Sequence, residues 1–89
     1  MENGTFVANE ERLRRLVAQN AQLERALESR VRIEQAKGML AERWDVAPER
    51  AFELLRSAAR SHRMRVHDLA LHVLGSSTTP PELQEVSPR

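Results

Sequence analysis

The chain has 89 residues and no cysteine. That length allows one small domain of marginal core, excludes disulfides and thiolate metal sites, and leaves oligomerisation as the remaining way to bury more surface. The net charge of +1 conceals an asymmetry, because residues 30–65 carry nine basic against five acidic groups while the segments on either side are net acidic. No apolar run approaches the ~20 residues of a membrane span, and the polar, acidic start resembles no leader peptide, so the cytoplasm is the expected compartment.

Residues 1–8 lack helical periodicity and contain Gly4, which predicts a flexible start. From Ala8 to Trp44 the only helix breaker is Gly38, and Ala, Leu, Arg, Glu and Gln dominate, so one long helix is predicted. Asn9, followed by Glu10 and Glu11, suits its N-terminus. Within residues 9–29, Leu13, Leu16, Asn20, Leu23 and Leu27 keep 3-4-3-4 spacing. Leu13, Asn20 and Leu27 take the a positions of a heptad, and Leu16 and Leu23 take d. An asparagine at a fixes register and favours two strands, so this stripe predicts a coiled-coil homodimer. The repeat ends there, since the next d and a positions are Arg30 and Glu34. The apolar set then changes to Ile33, Ala36, Met39 and Leu40, with Val31 beside it, and is expected to face helices from the second half of the chain.

Residues 45–48 read as a turn, with Pro48 at the first position of a second helix and Glu49 in its first turn. That helix runs to about His62, with Ala51, Phe52, Leu55, Ala58 and Ala59 expected in the core. Residues 63–65 form a second corner. A third helix covers Val66 to Leu74, with Gly75 as its stop. Residues 76–89 have the Ser/Thr/Pro composition of a disordered tail. The expected fold is all-α: a long N-terminal coiled-coil helix followed by two short helices that complete a small three-helix bundle over residues 30–75.

No catalytic pattern is visible. His62, His67 and His72 are spaced by five, which turns each about 140° from the last on a helix and cannot gather them round a metal. There is no Ser/His/Asp order and no Gly-rich phosphate loop, so neither an enzyme nor a cofactor is expected. The basic middle segment is the electrostatic footprint of phosphate binding. Its candidate contacts are Arg30, Gln35, Lys37, Arg43, Arg56 and Arg60, since arginine forks onto phosphate and base edges and an amide can read a looped base. Aromatics are too few for a base-stacking platform. Trp44 is assigned to the core. Gly38 costs about 1 kcal/mol relative to alanine inside a helix, and the expected reason is close approach of another helix backbone, or else of a ligand.

Taken together, SRVRIEQAKGML, Arg43, PERAFELLRSAA and VHDLALHVL resemble the ANTAR domain, the RNA-binding module of bacterial transcription antiterminators, over about residues 22–74. The resemblance implies a coiled-coil dimer whose small bundles bind tandem stem-loops in a nascent leader transcript. Binding would exclude the terminator hairpin, one protomer per stem-loop. Three positions depart from the family pattern: Asp45 where glycine is common, Ala47 where a Ser-type cap is common, and Ala41 in place of a frequent methionine. The family usually joins this module to a receiver or sensory domain, and the 29 residues before the motif leave no room for one. Dimerisation is then either constitutive or driven by a separate regulatory protein or by RNA itself. Two other readings stand beside this one. The second and third helices superficially resemble a helix-turn-helix, which would make a DNA-binding regulator, and the stripe alone would suit a coiled-coil adaptor for proteins.

Overall fold

A computed structural model describes residues 2–88, with side chains from Val7 onward. The described chain is helical throughout its ordered elements: α1 (Glu2–Trp44), α2 (Pro48–Ser61), α3 (Val66–Gly75) and a short α4 (Pro81–Gln84). At about 1.5 Å per residue, α1 accounts for most of the longest dimension of the molecule, which measures 69 × 22 × 21 Å. Its N-terminal half stands clear of everything else. Every described side chain from Val7 to Glu28 is exposed except the partly covered Ala21. The helix starts at Glu2, so the segment expected as a flexible start joins it from the second residue.

The bundle gathers on the C-terminal half of α1. Ala36, Leu40, Ala41 and Trp44 meet Ala51, Leu54, Leu55, Ala58 and Ala59 of α2 and Leu69, Ala70 and Val73 of α3. Alanine supplies six of these positions, and short side chains let three helices pack closely around few large ones. Trp44 is buried, as its place at the end of α1 suggested. Ile33 and Met39 pack against the cluster as expected, but Val31 does not and is 50 % exposed.

Both corners are helix stops of the same kind. At the end of α1, Asp45 adopts φ 55°, its N–H donates to Glu42 O at 3.3 Å, and the Val46 N–H donates to Ala41 O at 3.0 Å. At the end of α2, Arg63 adopts φ 54°, its N–H donates to Arg60 O at 3.2 Å, and the Met64 N–H donates to Ala59 O at 2.8 Å. These are Schellman stops built without glycine. Left-handed backbone costs a non-glycine residue about 1 kcal/mol or more. The offset is the apolar residue that follows each, since Val46 and Met64 both pack on the core. Pro48 opens α2, and its N-cap Ala47 makes no side-chain capping bond. Gly75 is still helical and has no positive φ; the chain turns extended at Ser76.

The tail departs from expectation. Disorder was predicted for residues 76–89, yet Pro81–Gln84 form α4, which packs against α2. Leu83 is fully buried, Pro80 is buried and Val86 is partly covered. Average composition concealed two apolar residues, Leu83 and Val86, three apart on a turn that can cover what α1 and α3 leave open on α2. The adjacent prolines lower the entropy lost on docking. His72 Nδ1 lies 3.7 Å from Glu82 Oε1 across the junction of α3 and α4.

Candidate nucleic-acid interface

The six candidate contacts do not form one patch. On α1, Arg30 and Lys37 are seven residues apart and lie on one side of the helix. Gln35 is rotated about 160° and Arg43 about 120° from Lys37. The side bearing Lys37 faces α2, and there the structure assembles something compact. The Lys37 ammonium sits 5.9 Å from the centroid of the Phe52 ring, and the Arg56 guanidinium sits 5.8 Å from the same centroid. Arg30 enters a shallow cleft, about 420 Å³, whose lining also includes Phe52 and Glu34. Arg60, four residues beyond Arg56, continues the exposed face of α2.

Phe52 is therefore not a core residue as its neighbours suggested. It is half-buried, and its ring serves as a shared platform for two cations from two helices. Each such contact is worth about 0.5–1 kcal/mol at a partly exposed site. Its main effect is to hold long, rotamer-rich side chains in place before any ligand arrives. The sequence carried only a weak sign of this. Phe52 lies at the edge of the apolar face of α2, about 60° from Leu55 and 20° from Ala59, and precedes Arg56 by one helical turn.

Lys37 is further restrained by Glu34, with Nζ 3.0 Å from Oε2, and its side chain is only 24 % exposed. Gln35 accepts a bond from Arg32 Nη1 at 3.2 Å through Oε1, which leaves its amide NH2 to donate outward. Arg43 is half-buried on another side of α1 and buries Nη1 without a partner. Two other arginines have partners already. Arg50 pairs with Glu53 at 3.2 Å. Arg65 donates to Asp68 through Nε at 3.2 Å and Nη2 at 3.3 Å, and these bonds hold the Asp68 carboxyl below its usual range. Among the described residues no three His, Asp or Glu side chains converge as metal ligands. No described helix is long and apolar enough to cross a membrane.

Gly38 is exposed on α1, and a Cβ built there meets nothing within 4 Å. No other helix of this chain comes close to the glycine, so the expected approach of another backbone or of a ligand is not made from within the chain. Gly38→Ala is therefore expected to raise the stability of the isolated chain by about 1 kcal/mol through helix propensity alone. Urea denaturation at protein concentrations too low for association checks this. A fall in the midpoint would reveal a clash that the structure lacks.

The ANTAR domain family model matches residues 21–74. No curated protein matches the chain, and no solved structure does. The matched stretch begins inside the leucine stripe and runs to the end of α3, so it contains all six candidate contacts.

Proposed function

With more than half of its length matched, the chain belongs to the ANTAR domain family, a family associated with RNA-binding antitermination regulators, and we propose that it binds tandem stem-loops of a nascent leader transcript as a homodimer and keeps the terminator hairpin from forming. The observation that carries this reading is the Lys37–Phe52–Arg56 cluster. Two cations from different helices are held on one ring, beside Arg30, on a bundle whose own segment is net positive. Held cations lose less entropy on meeting phosphate than free ones do. Lys37 and Arg56 would contact the hairpin backbone with Arg60 along the same face, Arg30 would lie at its edge, and Gln35 and Arg43 would contact RNA only where it wraps round α1. Once a stem-loop is held, the nucleotides it shares with the terminator are sequestered and polymerase reads on.

The dimer is supported by Leu13, Leu16, Leu23 and Leu27, each between 50 % and 63 % exposed on a helix that nothing else covers. Isolated leucines on a surface are ordinary, but four at heptad spacing around an exposed asparagine make a stripe that a second copy would bury. Asn20→Leu should tighten the oligomer or raise its order, as read by light scattering. An unchanged monomer would remove the dimer from this reading.

Electrophoretic shifts with a tandem-hairpin RNA and a length-matched DNA duplex test the proposal against its DNA-binding rival. Hairpins should bind far more tightly. Equal affinity for the duplex would favour a helix-turn-helix, although α3 offers little for base reading: Asp68 is held by Arg65, and His72 faces Glu82. An adaptor that binds only protein would show no salt-dependent RNA affinity.

A further inference from the structure

We propose that the cleft beside Phe52 is a pocket for one unpaired nucleobase, and that Glu34 selects a base bearing an exocyclic amino group. This deepens the RNA-binding reading above and rests on it. The cations already described meet phosphate, which carries no sequence, whereas a base held in the cleft would be read. Three observations carry the proposal. First, the cleft has suitable size and walls. Its volume of about 420 Å³ falls among small-ligand sites, which span about 300–1,000 Å³. Ile33 and Val66, both packed against the core, and the half-buried Phe52 ring give it apolar sides. An aromatic ring in an apolar recess holds the flat body of a base by stacking.

Second, the polar groups around it are few and opposed in kind. Arg30 only donates hydrogen bonds, an ionised Glu34 only accepts them, and the Ser29 hydroxyl does both. A phosphate offers acceptor oxygens alone, so it would suit Arg30 and be repelled by Glu34. The edge of a base carries donors and acceptors together and can satisfy both. Adenine, cytosine and guanine each bring an amino group for the carboxylate and an acceptor for the guanidinium. Uracil has no amino group, and its single N–H lies between two carbonyl oxygens that the carboxylate would repel.

Third, Glu34 is an acid on a basic face, and its surroundings keep it usable there. Lys37 Nζ lies 3.0 Å from Oε2 and 3.4 Å from Oε1. The lysine cancels the charge that nearby phosphates would feel and restrains the carboxylate before a base arrives. It takes only part of the acceptor capacity, since a carboxylate has about four lone-pair sites, and the Glu34 side chain remains 56 % exposed. The source of such a ligand is the loop of the hairpin. Side chains cannot read the deep, narrow major groove of an RNA helix, whereas unpaired bases can be splayed out. The cleft shares Phe52 with the Lys37–Phe52–Arg56 cluster. A loop nucleotide can therefore set its base beside Glu34 while an adjacent phosphate meets the held cations.

The full chain is mixed with a tandem-hairpin RNA library whose loops are randomised, and the bound and free fractions are sequenced. Expected is one loop position at which uracil is depleted about tenfold or more against an amino-bearing base, the low end for one well-made base contact. Glu34→Gln should abolish that depletion at that position alone, because the amide N–H groups can donate to a uracil carbonyl. Release of Lys37 in the same variant acts on all loop sequences alike and leaves the ratio unmoved. Gln35→Ala should keep the depletion. If Gln35→Ala removes the preference and Glu34→Gln does not, Gln35 reads the base and the inference is overturned. Absence of any loop preference in the parent chain, with hairpins still bound more tightly than duplex DNA, would overturn it too and leave the proposed function standing. Failure to bind any hairpin would remove both.

Discussion

Lys37→Ala should lower affinity for a tandem-hairpin RNA by about tenfold for each stem-loop, and by up to about a hundredfold for a dimer that engages both. One charge-assisted hydrogen bond per protomer is worth about 1.5 kcal/mol, and 1.4 kcal/mol is a factor of ten. The slope of log affinity against log salt should fall by about 0.7–0.9 for each phosphate that is no longer neutralised. Fluorescence anisotropy over a salt series measures both quantities. The fold should persist, because the lysine's intramolecular partners are an exposed glutamate on the same helix and one face of Phe52, and exposed pairs of this kind are worth less than about 1 kcal/mol each. Arg56→Ala should act in the same direction, since it removes the second cation from the ring. If Lys37→Ala binds hairpins as tightly as the parent chain, with the same salt slope, the cluster is a packing feature and the RNA must lie elsewhere.

Leu83→Ala should destabilise the bundle by about 2–4 kcal/mol, the range for removing a fully buried leucine from a core that only partly collapses. In a domain whose total stability is about 5–15 kcal/mol, that is a large share. The residue lies nine positions beyond the family-matched stretch, in a segment whose composition suggests disorder. The effect would therefore establish the tail as a working part of the core. Chemical denaturation monitored at Trp44, which is buried in the same cluster, reads the change directly. Deleting residues 76–89 should cost at least as much. A midpoint unchanged by either alteration would mean that α4 does not dock in solution and that α2 leaves an apolar strip uncovered.

Each of these effects depends on information that the sequence carries to a different degree. The helices were legible because their punctuation is local. Pro48 cannot sit inside a helix but suits its first turn, and the corner at Asp45 follows from what ends α1. Ala47, where a Ser-type cap is common, makes no side-chain capping bond at the start of α2. The leucine stripe was legible because heptad spacing is a property of one helix alone. Phe52 was misplaced because its type and its neighbours, Ala51 and Leu55, suggest burial. Its real surroundings are set by Lys37, fifteen residues earlier on another helix. Gly38 was legible only in part: a glycine in a helix signals close approach by something, sequence does not say by what, and no part of the same chain comes near it. The tail was misread because mean composition averages away two apolar residues, Leu83 and Val86.

The amino-acid sequence by itself determined the all-α architecture, the two corners, the basic middle segment and the periodic apolar face of α1. All of these arise from residues within a turn or two of one another. Tertiary structure alone decided that Phe52 lies within 6 Å of two cations, that Leu83 closes the core, that Gly38 stands open, and that the six candidate contacts divide around α1 rather than forming one patch. The physical reason is that periodicity establishes which face of a helix is apolar or charged. Which neighbour covers that face depends on how whole helices cross, and that is settled by packing between residues far apart in the chain.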